Sequence, residues 1–242
     1  MLTELIAIAI VSGLAGVVAS IAGFGIGSLL TPLFALRMDL QLAVAAVSIP
    51  HLLSTVYRFV LIRKDLNKEV FVSFGIWSAV GGLSGGLMGI FIKEHQLIVL
   101  FATLLIFAGL SGVFGLSERF QFPRKFAWLA GLASGMFGGL AGNQGGIRSA
   151  ALLSFNLSKM EFIATGTGIG LLVDAARMPV YFYQRFSDLL ELQVPILIAV
   201  IGSLVGTWFG KLVLHKIPEL IFKRIVCGII LVLGISMLLK KG

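Results

Sequence analysis

Ala22-Gly23-Phe24-Gly25-Ile26-Gly27 interrupts a long apolar stretch with three glycines, and Ala141-Gly142-Asn143-Gln144-Gly145-Gly146 interrupts another about 119 residues later. Paired, glycine-broken hydrophobic segments in two halves of one chain are the sequence pattern of transporter binding sites. Around these breaks 58% of the 242 residues are hydrophobic and only 12% charged, with a mean hydropathy of +1.04. No polar shell covers a soluble globule of that composition, so the chain reads as an all-α polytopic membrane protein. Apolar stretches recur along the whole length, unlike the single short run of a cleavable signal, so the first segment is expected to stay in the product.

Runs of roughly 20 apolar residues bounded by charges, the length needed to cross about 30 Å of hydrocarbon, fall at about 2–36, 39–61, 70–92, 96–116, 126–155, 160–183, 194–214 and 219–239. The first and fifth are too long for one helix. Each is expected to be a helix, a glycine break and a shorter second helix, crossing or re-entrant, and backbone of that kind survives at membrane depth only where protein or water satisfies it.

The repeat extends past the breaks. At an offset of 119, Ala22 pairs with Ala141, Gly23 with Gly142, Gly27 with Gly146, Arg58 with Arg177, Gly109 with Gly228 and Gly115 with Gly234. At an offset of 120, Gly82 pairs with Gly202 and Gly86 with Gly206. An ordered series in one register, including an intramembrane arginine, predicts two repeats of about four segments, at 1–116 and 126–242, joined by a polar linker at 117–125.

Loop charge supplies the orientation. If segments one and five return to the side they entered, Arg63, Lys64, Lys68, Arg119, Arg124, Lys125, Lys159, Lys211, Lys216, Lys223 and Arg224 share one face. Only Arg37, Lys93, Arg185, Lys240 and Lys241 lie on the other, whereas eight simple crossings divide the same residues almost evenly. The positive-inside rule therefore favours inverted repeats with both termini on the non-cytoplasmic side. The net charge of +8 belongs to these loop clusters and does not imply nucleic acid. The single cysteine, Cys227, excludes an intrachain disulfide and a cysteine-built metal site.

A half-helix that starts at a glycine break turns unpaired N–H groups and its positive dipole end toward the bilayer midplane, a ready anion site. Gly23, Gly25 and Gly27 serve such a site in the first half and Gly145 and Gly146 in the second, where Asn143, Gln144 and Arg148 add two amides and a permanent cation. The competing role for Arg148 is a salt bridge to Asp174 that only joins helices. Asp174 and Arg177 lie three apart on one helical face and either pair with each other or line a pathway. Arg58 sits near the end of its segment, where a long side chain is expected to snorkel to the interface. His51, beside Pro50, either relays protons or satisfies carbonyls freed by a kink.

Glycines four apart, as at Gly82 and Gly86 or Gly202 and Gly206, read first as close helix packing. No metalloprotease pattern, nucleophile motif or phosphate loop stands out, and no cofactor or metal is implied. Three function classes remain: an anion carrier with protons as a coupling ion, an embedded enzyme on a lipid-type substrate around His51, Asp174 and Arg177, and a scaffold whose glycines only pack. The oligomeric state is not legible.

Residues 22–33, Ala-Gly-Phe-Gly-Ile-Gly-Ser-Leu-Leu-Thr-Pro-Leu, and 135–146, Gly-Met-Phe-Gly-Gly-Leu-Ala-Gly-Asn-Gln-Gly-Gly, resemble the TauE/SafE family of sulfite exporters, also known as the four-toluene-sulfonate uptake permeases. The resemblance covers essentially the whole chain. It implies a bacterial-type inner-membrane carrier of small anions such as sulfite and sulfonates. The second copy departs from the family's glycine-rich pattern at Gln144 and Arg148, and Ala151 stands where the first copy has Pro32.

Overall fold

The structure, a computed structural model, describes residues 2–22, 25–115, 126–142, 145–152, 155–213 and 219–241. All regular elements among them are helical. They are α1 (Leu2–Ala22), α2 (Ile26–Phe34), α3 (Leu40–Ile62) with a 3-10 turn at Arg63–Asp65, α4 (Lys68–Gly89) and α5 (Glu94–Phe114). After the polar linker, which lies outside the described residues, come α6 (Ala127–Ala141), α7 (Gly145–Leu152), α8 (Lys159–Glu191), α9 (Gln193–Val213) and α10 (Glu219–Lys241).

Among the described residues, five helices are long and apolar enough to cross a membrane, with spans at Leu2–Ile21, Leu40–Asp65, Lys68–Gly89, Glu94–Phe114 and Gln193–Leu212. The eight expected segments thus resolve into five such helices and a group that departs from the simple pattern. The 15 residues of α6 extend about 22 Å at 1.5 Å per residue, short of the hydrocarbon thickness. The 33-residue α8 carries Asp174, Arg177 and Pro179 in its interior and leaves helical geometry at Arg185 (φ −126°, ψ 23°).

Polar caps set where helices begin. Asp39 accepts from the Leu42 N–H at 2.9 Å to start α3, and Asn67 accepts from the Val70 N–H at 3.1 Å to start α4. Ser158 and Glu161 form a reciprocal capping box at the start of α8. Gly115 and Gly142 end α5 and α6 in the left-handed region, at φ 65° and 68°, which favours glycine because no Cβ meets the carbonyl.

Long apolar residues face outward. On α4 these are Val72, Ile76, Val80, Leu83 and Leu87, and on α9 Leu197, Ile201, Val205 and Leu212, all more than 36% exposed and spaced to share a helix face. A face of that kind suits lipid, where apolar side chains cost nothing to expose.

The interior is drawn together by small residues. An added Cβ at Gly135 would lie 1.9 Å from the Ser78 carbonyl oxygen, and one at Gly206 would lie 1.9 Å from that of Gly13. Main chain therefore touches main chain where α6 packs on α4 and where α9 packs on α1. α3 and α8 run antiparallel. At one end Arg185, late in α8, pairs with Asp39 just before α3, while at the other the backbone N–H of Asn67 donates to Thr165 Oγ1 at 3.0 Å, early in α8.

Candidate functional site

The two breaks meet. α1 ends at Ala22 and α2 begins at Ile26 behind Gly25, whose φ of 137° a residue with a side chain rarely adopts. An added Cβ at Gly27 would come within 2.5 Å of the Gly142 carbonyl oxygen, so the first turn of α2 lies directly against the C-cap of α6. Gly145 and Gly146 open α7. Gly23, Asn143 and Gln144 lie outside the described residues.

A buried charge cluster lies beside this contact. His51 Nδ1 and Asp174 Oδ2 are 2.6 Å apart, joining α3 to α8 across 123 residues of sequence. Arg177 donates to the other oxygen of Asp174 through Nε at 3.0 Å and Nη2 at 2.7 Å, as the three-residue spacing predicts. Both oxygens of Asp174 are thereby engaged by His51 and Arg177, rather than by a structural pairing with Arg148 alone.

Arg177 also donates through Nη1 to the Gly138 carbonyl, and the Tyr181 hydroxyl donates to the Gly139 carbonyl. The Arg177 guanidinium carbon lies 5.7 Å from the centre of the Tyr181 ring, within cation–π range. Two side chains of α8 thus hold the last turn of α6, where the Gly138 carbonyl accepts both from Arg177 and from the Gly142 N–H at 2.9 Å. Tyr181 is absent from the sequence-derived set. Its signal was its position four residues after Arg177, on the same helix face.

Arg58 does not snorkel. It is 7% exposed, and its Nη1 donates to the Ala19 carbonyl in the last turn of α1. The expectation of an interfacial arginine failed because the partner is a main-chain oxygen, which no residue type announces. Arg58 and Arg177 stand 119 apart, as do Ala19 and Gly138, so the same bond occurs once in each half of the chain.

Arg148, 5% exposed on α7, lies against the glycine face of α8. An added Cβ at Gly170 would come 3.0 Å from its Nη1 and 3.9 Å from Thr55 Cγ2, and one at Gly166 would come 3.7 Å from its Nε. The guanidinium therefore rests where α8 lacks side chains, next to Thr55 of α3. Arg58 and Arg148 are within electrostatic range of each other and of Asp174.

The buried charged side chains among the described residues are Arg58, Arg148, Arg177 and Asp174. Among the described residues, three buried guanidinium groups thus share the interior with one buried carboxylate. Buried charge is costly unless compensated. Nothing in the described residues groups three or more metal-ligating side chains.

A narrow cavity of about 20 Å³, lined by Gln41, Gly139, Tyr181, Gln184 and Arg185, lies between Tyr181 and the Asp39–Arg185 end of the bundle.

No curated protein and no solved structure matches the chain. A family profile does: residues 8–237 match the family described as Sulfite exporter TauE/SafE, which encompasses both breaks and every member of the charge cluster. The protein is accordingly a multi-pass membrane protein of the TauE/SafE sulfite exporter family, a family of membrane transporters.

Proposed function

We propose that the protein is a secondary carrier of small oxyanions, sulfite or sulfonates foremost, that binds its substrate where the two broken segments touch. The observation that carries this reading is the gathering of three buried arginines around one buried carboxylate, among the described residues, beside the Gly27–Gly142 contact. A small anion is favoured by so basic an interior, and a neutral or cationic substrate is not. Gly23, Gly25, Gly27, Asn143, Gln144, Gly145, Gly146 and Arg148 form the binding set, with N–H groups of α2 and α7 aimed at the anion. His51, Arg58, Asp174 and Arg177 line the path and set its charge.

Residues 1–116 and 126–242 act as inverted copies that rock against each other around the site. Several features support the inversion. α3 and α8, its expected equivalents, are antiparallel, and the Arg58 and Arg177 bonds match at one offset. Glu4 at the start of α1 pairs with Arg37 just after α2, as a re-entrant first segment requires. The chain resides in a bacterial-type inner membrane with both termini on the non-cytoplasmic side. His51 and Asp174 supply a route for proton coupling, which a flux that ignores an imposed pH gradient would remove.

Reconstitution tests the site. Arg148→Gln in proteoliposomes is expected to cut sulfite flux at least tenfold while the protein elutes and melts as a folded species, since a buried charge-assisted contact is worth about 1.5–3 kcal/mol. Unchanged flux would remove Arg148 from the binding set.

A further inference from the structure

The halves can be compared atom by atom at one polar site. In the second half, the Arg177 guanidinium binds the Gly138 carbonyl with Nη1 and the Asp174 carboxylate with Nε and Nη2. In the first half, Arg58 binds the Ala19 carbonyl in the same way, but the residue 119 positions before Asp174 is Thr55. Neither Arg58 Nε nor Thr55 Oγ1 has a hydrogen-bond partner among the described residues, although Arg58 is 7% exposed and Thr55 is 1% exposed. The donor that Asp174 satisfies in one half is thus left over in the other, together with a buried hydroxyl.

The surroundings favour an anion there. Arg148 is brought beside Thr55 because position 170, the counterpart of His51, is a glycine. Two guanidinium groups and a hydroxyl therefore converge in the first half, where the second half has a guanidinium, a carboxylate and an imidazole. A buried guanidinium edge without an anion costs free energy, and a planar or pyramidal oxyanion satisfies Nε and a neighbouring N–H together.

We propose that Arg58 and Thr55 form an oxyanion subsite in which the substrate occupies the place that Asp174 holds in the other half. The proposal rests on the carrier reading above and refines it: the anion's centre of binding moves from the helix N-termini to the side chains of α3. The carboxylate of Asp174 is a built-in copy of the substrate. The subsite takes a small oxyanion with at least two oxygens, such as sulfite or a sulfonate head, whose separate oxygens match the separate donors of Arg58 and Thr55 as the two oxygens of Asp174 match His51 and Arg177.

The test supplies the missing carboxylate. Thr55→Asp is expected to abolish the rise in melting temperature that sulfite gives the detergent-purified full chain, and to lower sulfite flux in proteoliposomes at least tenfold. The ligand-free variant is expected to melt no lower than the parent, because the new carboxylate neutralises Arg58 as Asp174 neutralises Arg177. A parental sulfite response in Thr55→Asp overturns the proposal. If that variant does not fold, Thr55→Val decides: the loss of one hydroxyl bond predicts sulfite affinity weakened about fivefold, and unchanged affinity overturns the subsite. Failure of the underlying reading is distinct. An unmodified protein that shows no melting shift and no flux with sulfite, sulfate or a sulfonate is not an anion carrier. One that responds to sulfite and loses the response in Arg148→Gln but not in either Thr55 variant is a carrier without this subsite.

Discussion

Helix α8 holds Arg177 with a carboxylate from its own preceding turn, whereas helix α3 offers Arg58 a threonine at the equivalent position. Both arginines nevertheless make the same bond to the end of a broken helix. The shared bond is a structural clamp: in each case a guanidinium N–H is donated to a carbonyl in the last turn of a helix. The difference is chemical. One half neutralises its clamp internally and closes around His51 and Tyr181, while the other leaves its cation in excess. The two arginines share a main-chain bond and differ in the charge placed beside them.

The sharpest way to break this comparison is to remove each arginine in turn and measure thermal unfolding in detergent. Arg177→Met strands Asp174 in the interior with His51 as its remaining partner, and the expected loss is about 3–5 kcal/mol. Arg58→Met removes a cation that has no carboxylate of its own and deletes one bond to a carbonyl, so the expected loss is about 1 kcal/mol. Equal losses would mean that Arg58 has an anionic partner equivalent to Asp174, and the asymmetry would fall.

A second variant tests what the halves share. Gly135→Ala puts a Cβ within 1.9 Å of the Ser78 carbonyl oxygen and forces α6 away from α4, at an expected cost of about 1–3 kcal/mol. A melting temperature equal to the parent's would show that this interface yields without cost, against a packing made of main chain.

The smallest effect lies at the bundle's end. The Glu161 carboxyl is held below its usual range, first by the Ser158 backbone N–H at 2.9 Å, then by the Ser158 hydroxyl and the Asn67 amide. A depressed folded value stabilises above the unfolded pKa of about 4.3, and that contribution disappears as pH falls through the folded value. Glu161→Gln should therefore melt slightly below the parent at pH 7, with the gap closing below about pH 4. A gap that persists there would assign the effect to shape rather than charge.

The sequence shows much of the architecture because lipid imposes a strict pattern. Expected segments at 39–61, 70–92 and 194–214 lie within two or three residues of α3, α4 and α9. Among the described residues α1 and α6 end, and α2 and α7 begin, on either side of the two glycine-rich stretches, where glycine frees the chain from helical geometry. The pairing of Asp174 with Arg177 was one of the two roles that their three-residue spacing allowed. What sequence reasoning missed are contacts made across long separations or to the main chain. His51 and Asp174 stood together only as the centre of the enzyme alternative, without their direct contact across 123 residues of chain, and Arg58 binds a carbonyl that every residue possesses. Tyr181 was passed over because an aromatic in an apolar segment reads as packing until its hydroxyl is located.

The caps carry a last consequence. Asp39 starts α3 by accepting from Leu42 and also pairs with Arg185 of α8 at one end of the bundle. Asn67 starts α4 by accepting from Val70, and at the opposite end its own amides reach Thr165 and Glu161 of α8. The residues that nucleate helices in the first half are thus the ones that fasten it to the second. Fraying of either helix start loosens a seam, and opening a seam weakens a helix start. Order within each half and attachment between halves are therefore linked, and the bundle is expected to melt as one unit, with a single calorimetric transition, rather than as two pieces.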